Sequence, residues 1–250
     1  MAILCLDVGN THAHWGLVDG RSVRAHGELP TAALTTEGLR ALLAAQAPTG
    51  LALASVVPSA TATIEPVLLG SGLPFHHLRH DTVRGLGFDY PRPAEVGQDR
   101  LADCVGAQLV AGAPAIIVGM GTATTVDILT EQGYAGGIIA PGLGVMTRYL
   151  HERTALLPAL DPAELLGGPA IGKSTVDAMR AGCALGFAGM IGALLDAVTA
   201  ELTKQGGPVP VVLVTGGAAV YLPASWRDRV RHEPHLTLLG LAESHRRSCV

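Results

Sequence analysis

Short apolar runs, each closed by a glycine-rich polar cluster, are the main feature of the chain. Residues 2–6 form a buried-strand pattern, followed by the turn-forming cluster Asp7-Val8-Gly9-Asn10-Thr11. Alternation resumes over 14–18, and Asp19-Gly20 signals a hairpin into a third strand. Residues 36–47 have helical periodicity, with Thr35 or Thr36 as cap. A strand is expected over 51–57, closed by Pro58, then a helix over 61–69 and a strand over 75–78. The Pro-rich stretch 88–96 reads as a loop, and 97–100 opens a helix over 101–111.

The pattern then starts again. Residues 115–118 form a second buried run, followed by the turn 119–125, a strand to 130, a turn at Gln132-Gly133 and a returning strand over 134–139. Residues 141–144 start a helix, 174–200 read as long helical material, and 209–214 form a strand ending in Thr215-Gly216-Gly217, with helix expected from 218. Leu6-Asp7-Val8-Gly9-Asn10-Thr11 lies on Val118-Gly119-Met120-Gly121-Thr122-Ala123, glycine on glycine. This internal repeat predicts a duplicated α/β chain, with halves 1–113 and 114–250.

Composition narrows the picture. In 250 residues, 48% are hydrophobic and only 4% aromatic, so the core is aliphatic. The formal net charge is −4, and the nearest thing to a basic run, 227–232, reads as a solvated segment. Nucleic acid is therefore not an expected partner. No uninterrupted apolar run approaches the ~18 residues of a spanning helix, so no membrane association is expected. The four cysteines (Cys5, Cys104, Cys183, Cys249) form no CxxC pair and read as thiols of a reducing, cytoplasmic setting.

Paired glycine turns suggest anion binding, because glycine lets backbone N–H groups approach closely and Asn or Thr adds donors. Two such turns facing one another would hold a polyphosphate, with Asp7 placed for Mg²⁺. The chain is read as lacking a Walker-type loop, a protein-kinase set and a Rossmann fingerprint. Asp99 at a helix start is placed to accept a hydroxyl proton, and Arg100 to fork a substrate carboxylate. His76, His77 and His80 read as a surface loop rather than a metal site.

The motifs taken together resemble type III pantothenate kinase, of the actin, sugar-kinase and heat-shock ATPase superfamily. They are Asp7-Val8-Gly9-Asn10-Thr11, Tyr90 with Pro93-Ala94-Glu95-Val96-Gly97-Gln98-Asp99-Arg100, Gly121-Thr122-Ala123-Thr124-Thr125-Val126-Asp127, Gly136 to Gly142, and Gly172-Lys173-Ser174-Thr175. The resemblance implies two ribonuclease H-like (actin-like ATPase) halves with a nucleotide cleft between them. It implies ATP-dependent phosphorylation of pantothenate, the first step of coenzyme A synthesis, by a homodimer using Mg²⁺ and a monovalent cation, K⁺ or NH₄⁺. By position, Asp99 is the general base, and Tyr90, Gly97, Arg100 and Thr175 line the pantothenate site. Asp7, Gly9, Asn10, Thr11, Gly121, Thr122 and Thr124 surround the phosphates. The sequence departs from the family at Gly119, where an Asp associated with the cation is usual. Two other readings stay open: a kinase for another hydroxyl metabolite, and a catalytically weak nucleotide-binding regulator.

Overall fold

The computed structural model describes all residues except 162–164, 166, 205, 207, 227 and 250, so Arg227 of the expected solvated segment lies outside the described residues. Two compact units are present. The first comprises Met1–Ala113, Leu129–Gly136 and the chain from His235 on; the second comprises Pro114–Ile128 and Gly137–Pro234.

The first unit is built on a five-stranded sheet of β1 (Ala2–Val8), β2 (His12–Asp19), β3 (Ser22–Pro30), β4 (Gly50–Ser55) and β5 (Phe75–His77), in the order β3-β2-β1-β4-β5. β1 pairs antiparallel with β2 and parallel with β4. Side chains alternate along β1. Leu4, Leu6 and Val8 enter a core with Leu39 of α1 (Thr36–Gln46) and with Ile64 and Leu68 of α2 (Pro58–Leu69). Asp7 shares its register with Ile3 and Cys5, on the opposite face. Thr35 caps α1 by accepting from Gly38 N–H at 3.1 Å. Pro58, expected to close a strand, instead occupies the start of α2, where its missing N–H is no loss.

On the other side of the first unit, α3 (Gln98–Val110) packs against α6 (Leu236–Ser248). The approach is very close: a Cβ on Gly240 would lie 1.8 Å from the Ala102 carbonyl oxygen. The local pattern does not announce α6, whereas the helix expected from 218 is only a 3₁₀ turn, Gly217–Tyr221. Pro223 follows at once and disfavours helical backbone at Leu222, which is extended (φ −68°, ψ 140°).

A second sheet repeats the scheme with β6 (Ala115–Met120), β7 (Ala123–Thr130), β8 (Gly133–Pro141), β9 (Val211–Thr215) and β10 (Arg231–His232). Its strand order, β8-β7-β6-β9-β10, matches that of the first sheet position by position. β6 equates with β1, and Gly121 with Gly9. α4 (Leu143–Glu152) follows β8. The 30-residue α5 (Thr175–Lys204) lays Met179, Cys183, Phe187, Ile191 and Leu195 into the core of the second unit. Mean hydropathy in α5 reaches 1.7 over an 18-residue window, so by length and composition it could cross a membrane. Its unbroken apolar run, 181–195, is bounded by Arg180 and Asp196 and so stops short of ~18 residues.

Candidate active site

In the first unit the turn after β1 is braced from below. Gly9 N–H donates to the His12 carbonyl at 3.0 Å, and Thr31 Oγ1 donates to the Gly9 carbonyl at 2.7 Å. This holds Asn10 and Thr11 exposed at the tip. Asp7, just before the turn, pairs in register with Ala54 of β4 and His14 of β2. Burial, and then the neighbouring Asp99 carboxylate, push Asp7 up to about 7. His14 pairs with Glu28 at 3.4 Å, and burial lowers its proton affinity despite that carboxylate.

Asp99 lies in the first turn of α3, where a carboxylate is favoured by the helix dipole. Its Oδ1 accepts from the Arg100 N–H at 2.9 Å. A Cβ on Gly97 would stand 2.4 Å from Asp99 Oδ1, so a larger residue there would displace that carboxylate. Tyr90 and Arg100 meet on a third residue that the sequence motifs do not single out. The Tyr134 ring, 1% exposed, receives the edge of Tyr90 at 5.4 Å and the Arg100 guanidinium at 5.7 Å. Tyr134 is itself held by N–H donation to Gly87 O at 2.9 Å and by accepting from Asp89 N–H at 2.9 Å. The first unit thus gathers Asp7, Gly9, Asn10, Thr11, Tyr90, Gly97, Asp99 and Arg100.

The second unit holds the other expected residues. Gly121 and Thr122 are exposed between β6 and β7. Backbone closes tightly round this turn. A Cβ on Gly142, the residue capping α4, would lie 2.3 Å from Thr122 O. Gly216 (φ +93°) would place one 2.6 Å from Met120 O. The third glycine cluster, Thr215-Gly216-Gly217, is therefore brought to the second turn. Thr124 is fully buried and donates to the Pro141 carbonyl at 3.4 Å, so its place is beneath the turn. Gly119 pairs in register with Thr215 and offers no carboxylate. Thr175 is exposed at the first position of α5, where Ser174 Oγ accepts from Asp177 N–H at 3.1 Å.

Two readings from sequence are corrected here. Residues Gly167 to Ser174 do spell GxxxxGKS. The described element before them is α4 and not a strand, so the strand–loop–helix setting of a Walker loop is missing. His76 and His77 are not a surface loop: both lie on β5. His76 Nε2 bonds Ser244 Oγ at 2.9 Å, and burial, with nearby cationic groups, lowers it to about 4. His77 is tied to Glu65 and Gln98.

The two carboxylates fit a divalent cation, since a cation beside Asp7 would relieve the burial and the like charge that keep it from ionising. With an exposed glycine turn for phosphate and a cation–aromatic pair for an anionic group beside these carboxylates, the first unit carries groups that suit phosphoryl transfer to an alcohol.

Comparison with known proteins agrees. A family model described as type III pantothenate kinase matches residues 3–197. A type III pantothenate kinase from Akkermansia muciniphila is 37% identical over 244 residues, covering 96% of this chain and 97% of the relative. Two solved structures share the fold. A Campylobacter jejuni protein described in the Baf family of transcriptional activators has TM-score 0.62 at 18% identity over 97% of each chain. The activator of 2-hydroxyisocaproyl-CoA dehydratase from Clostridium difficile has TM-score 0.54 at 13% identity, covering 100% of this chain and 96% of that one. These two likenesses are of fold, the paired five-stranded sheets. The chain belongs to the type III pantothenate kinase family.

Proposed function

We propose that this chain transfers the γ-phosphoryl group of ATP to the primary hydroxyl of pantothenate, the first step of coenzyme A synthesis. The observation that carries the reading is the pair of carboxylates Asp7 and Asp99, close enough for one to raise the proton affinity of the other. Asp99 accepts the hydroxyl proton as the alcohol oxygen bonds to the γ-phosphorus. The bond to the β–γ bridging oxygen breaks, and ADP leaves. Arg100 forks the pantothenate carboxylate, and Tyr90 and Gly97 line the same site. Gly9, Asn10, Thr11, Gly121 and Thr122 offer donors to the phosphates, with Thr124 fixing the second turn from beneath.

Asp7 would hold Mg²⁺, which would supply charge neutralisation at the phosphates. Gly119 leaves the second turn without the family's usual carboxylate, so we assign this chain a weaker need for K⁺ or NH₄⁺. Thr175 reaches pantothenate in the second subunit of a homodimer. Three buried cysteines outside any disulfide and an exposed Cys249 suit the cytoplasm. Gly119 also favours a second reading, a nucleotide-binding regulator of low turnover.

The test is ADP release with and without pantothenate, in K⁺ and in Na⁺. Pantothenate-dependent release that differs little between the salts, and is abolished by Asp99→Asn in a folded protein, is the expected result. Nucleotide binding without release favours the regulator. Full turnover in Asp99→Asn removes the base assignment.

A further inference from the structure

We propose that Glu65 and His77 are positioning residues for Asp99, acting through Gln98 as a clamp on the first turn of α3. The proposal rests on the reading of Asp99 as the general base.

The start of α3 needs an anchor. Gly97 occupies the cap position and contributes no side-chain hydrogen bond. The next residue, Gln98, takes that part. Its Oε1 accepts from the backbone N–H of Ser55, at the end of β4, at 2.7 Å. A backbone N–H can only donate, so the atom facing it is the carbonyl oxygen and the orientation of the amide is fixed. His77 Nε2 lies 3.1 Å from the same oxygen. That oxygen has no hydrogen, so His77 Nε2 must carry one and donate it. The other ring nitrogen, Nδ1, is 2.7 Å from Glu65 Oε1. A contact that short between a ring nitrogen and a carboxyl oxygen also holds a proton, on one partner or the other. The chain Glu65–His77–Gln98–Ser55 is therefore continuous, with His77 and Ser55 both donating to the one Gln98 oxygen.

Its members come from α2, β5, α3 and β4, so it fixes four elements of the first unit to one another. It is also sheltered, since the His77 side chain is 10% exposed and that of Glu65 is 32% exposed. Ser55 does not yield easily. Its Oγ accepts from Val57 N–H at 3.2 Å and from Thr61 Oγ1 at 2.7 Å. Ser55 pairs in register with Val8, next to Asp7. The end of β1 that carries Asp7 and the start of α3 that carries Asp99 are thus both referred to one point at the end of β4. A base must sit within hydrogen-bond reach of the proton it takes, and a displacement of about 1 Å lowers rate as much as a hundredfold. None of its four members is among the residues assigned above to the pantothenate or phosphate sites, so its action is placed through Asp99.

Steady-state kinetics on the full-length protein test this. His77→Ala is expected to lower kcat about tenfold or more with KM for ATP within about twofold. Gln98→Ala is expected to match it, and the double variant to be no worse than either single one. Glu65→Ala is expected to lose activity likewise. Glu65→Gln, whose amide N–H can donate to Nδ1, recovers most of that loss. Values of kcat within twofold of the parent in both His77→Ala and Glu65→Ala overturn the proposal, as do losses in His77→Ala and Gln98→Ala that multiply. If His77→Ala does not fold, the two Glu65 variants, altered at a part-exposed helix position, decide alone. Asp99→Asn run alongside separates the two claims. Persistent turnover there removes the base, whereas abolished turnover with unaffected His77 and Glu65 variants removes only the clamp.

Discussion

Asp7 couples chemistry to stability. Its ordinary value of 3.8 rises to about 7 in the folded protein, through burial first and Asp99 second. Below about pH 4 both folded and unfolded chains hold the proton, and the group is neutral in the balance. Between about 4 and 7 the unfolded chain releases it first, so rising pH favours unfolding; above 7 the full penalty is in place. Ligand-free protein is therefore expected to lose melting temperature across this window. Asp7→Asn is expected to lack that component, and to be more stable than the parent above pH 7 by on the order of a few kcal/mol while losing turnover. Parallel melting curves against pH for the two proteins contradict this. The residues of the site were unevenly legible. Asp7, Asp99 and Arg100 stand in motifs whose spacing is local. Tyr134 and His77 act through partners far away in sequence, at Tyr90, Arg100 and Gln98, and nothing around them in the chain marks those contacts.

At the scale of elements, strand and turn patterns were the readable part. The sequence alignment of residue 7 on residue 119 corresponds to two sheets with one strand order, because a buried strand ending in a glycine turn is a local signal. Boundaries set by distant packing were not readable. α6 is largely apolar as far as Ala242 and polar from Glu243 on, and what seats it in this place is the close approach to Ala102 and Gly106 of α3. The second turn depends on similar closeness. Gly142→Ala would push a methyl group into the Gly121 and Thr122 carbonyls, at 2.4 and 2.3 Å. The variant is expected to lose about 1–3 kcal/mol of stability. It is also expected to raise KM for ATP well above that for pantothenate, as read by denaturant melts and initial rates. Unchanged ATP kinetics would detach this turn from the nucleotide.

At the scale of the molecule, α5 is apolar on all sides, yet only one stripe of it enters the core of the second unit. Leu185, 59% exposed, and the small residues Ala181 and Gly182 leave an apolar flank that suits a second copy of the chain. If the proposed homodimer pairs through this flank, Leu185→Arg is expected to give monomer in sedimentation, and to weaken pantothenate binding with it, since Thr175, proposed to reach pantothenate, begins the same helix. A dimer unaffected by the charge would place the interface elsewhere. The path of the chain has a practical consequence as well. It passes from one unit to the other after residues 113, 128, 136 and 234. No single cut can yield both units as intact pieces: a fragment ending at 113 would lack α6 and bare the flank of α3 that α6 covers. Separate production of the first unit would need the final helix supplied in trans or spliced on by a linker, and a tag fused after Ser248 would hang from the unit that contains the N-terminus.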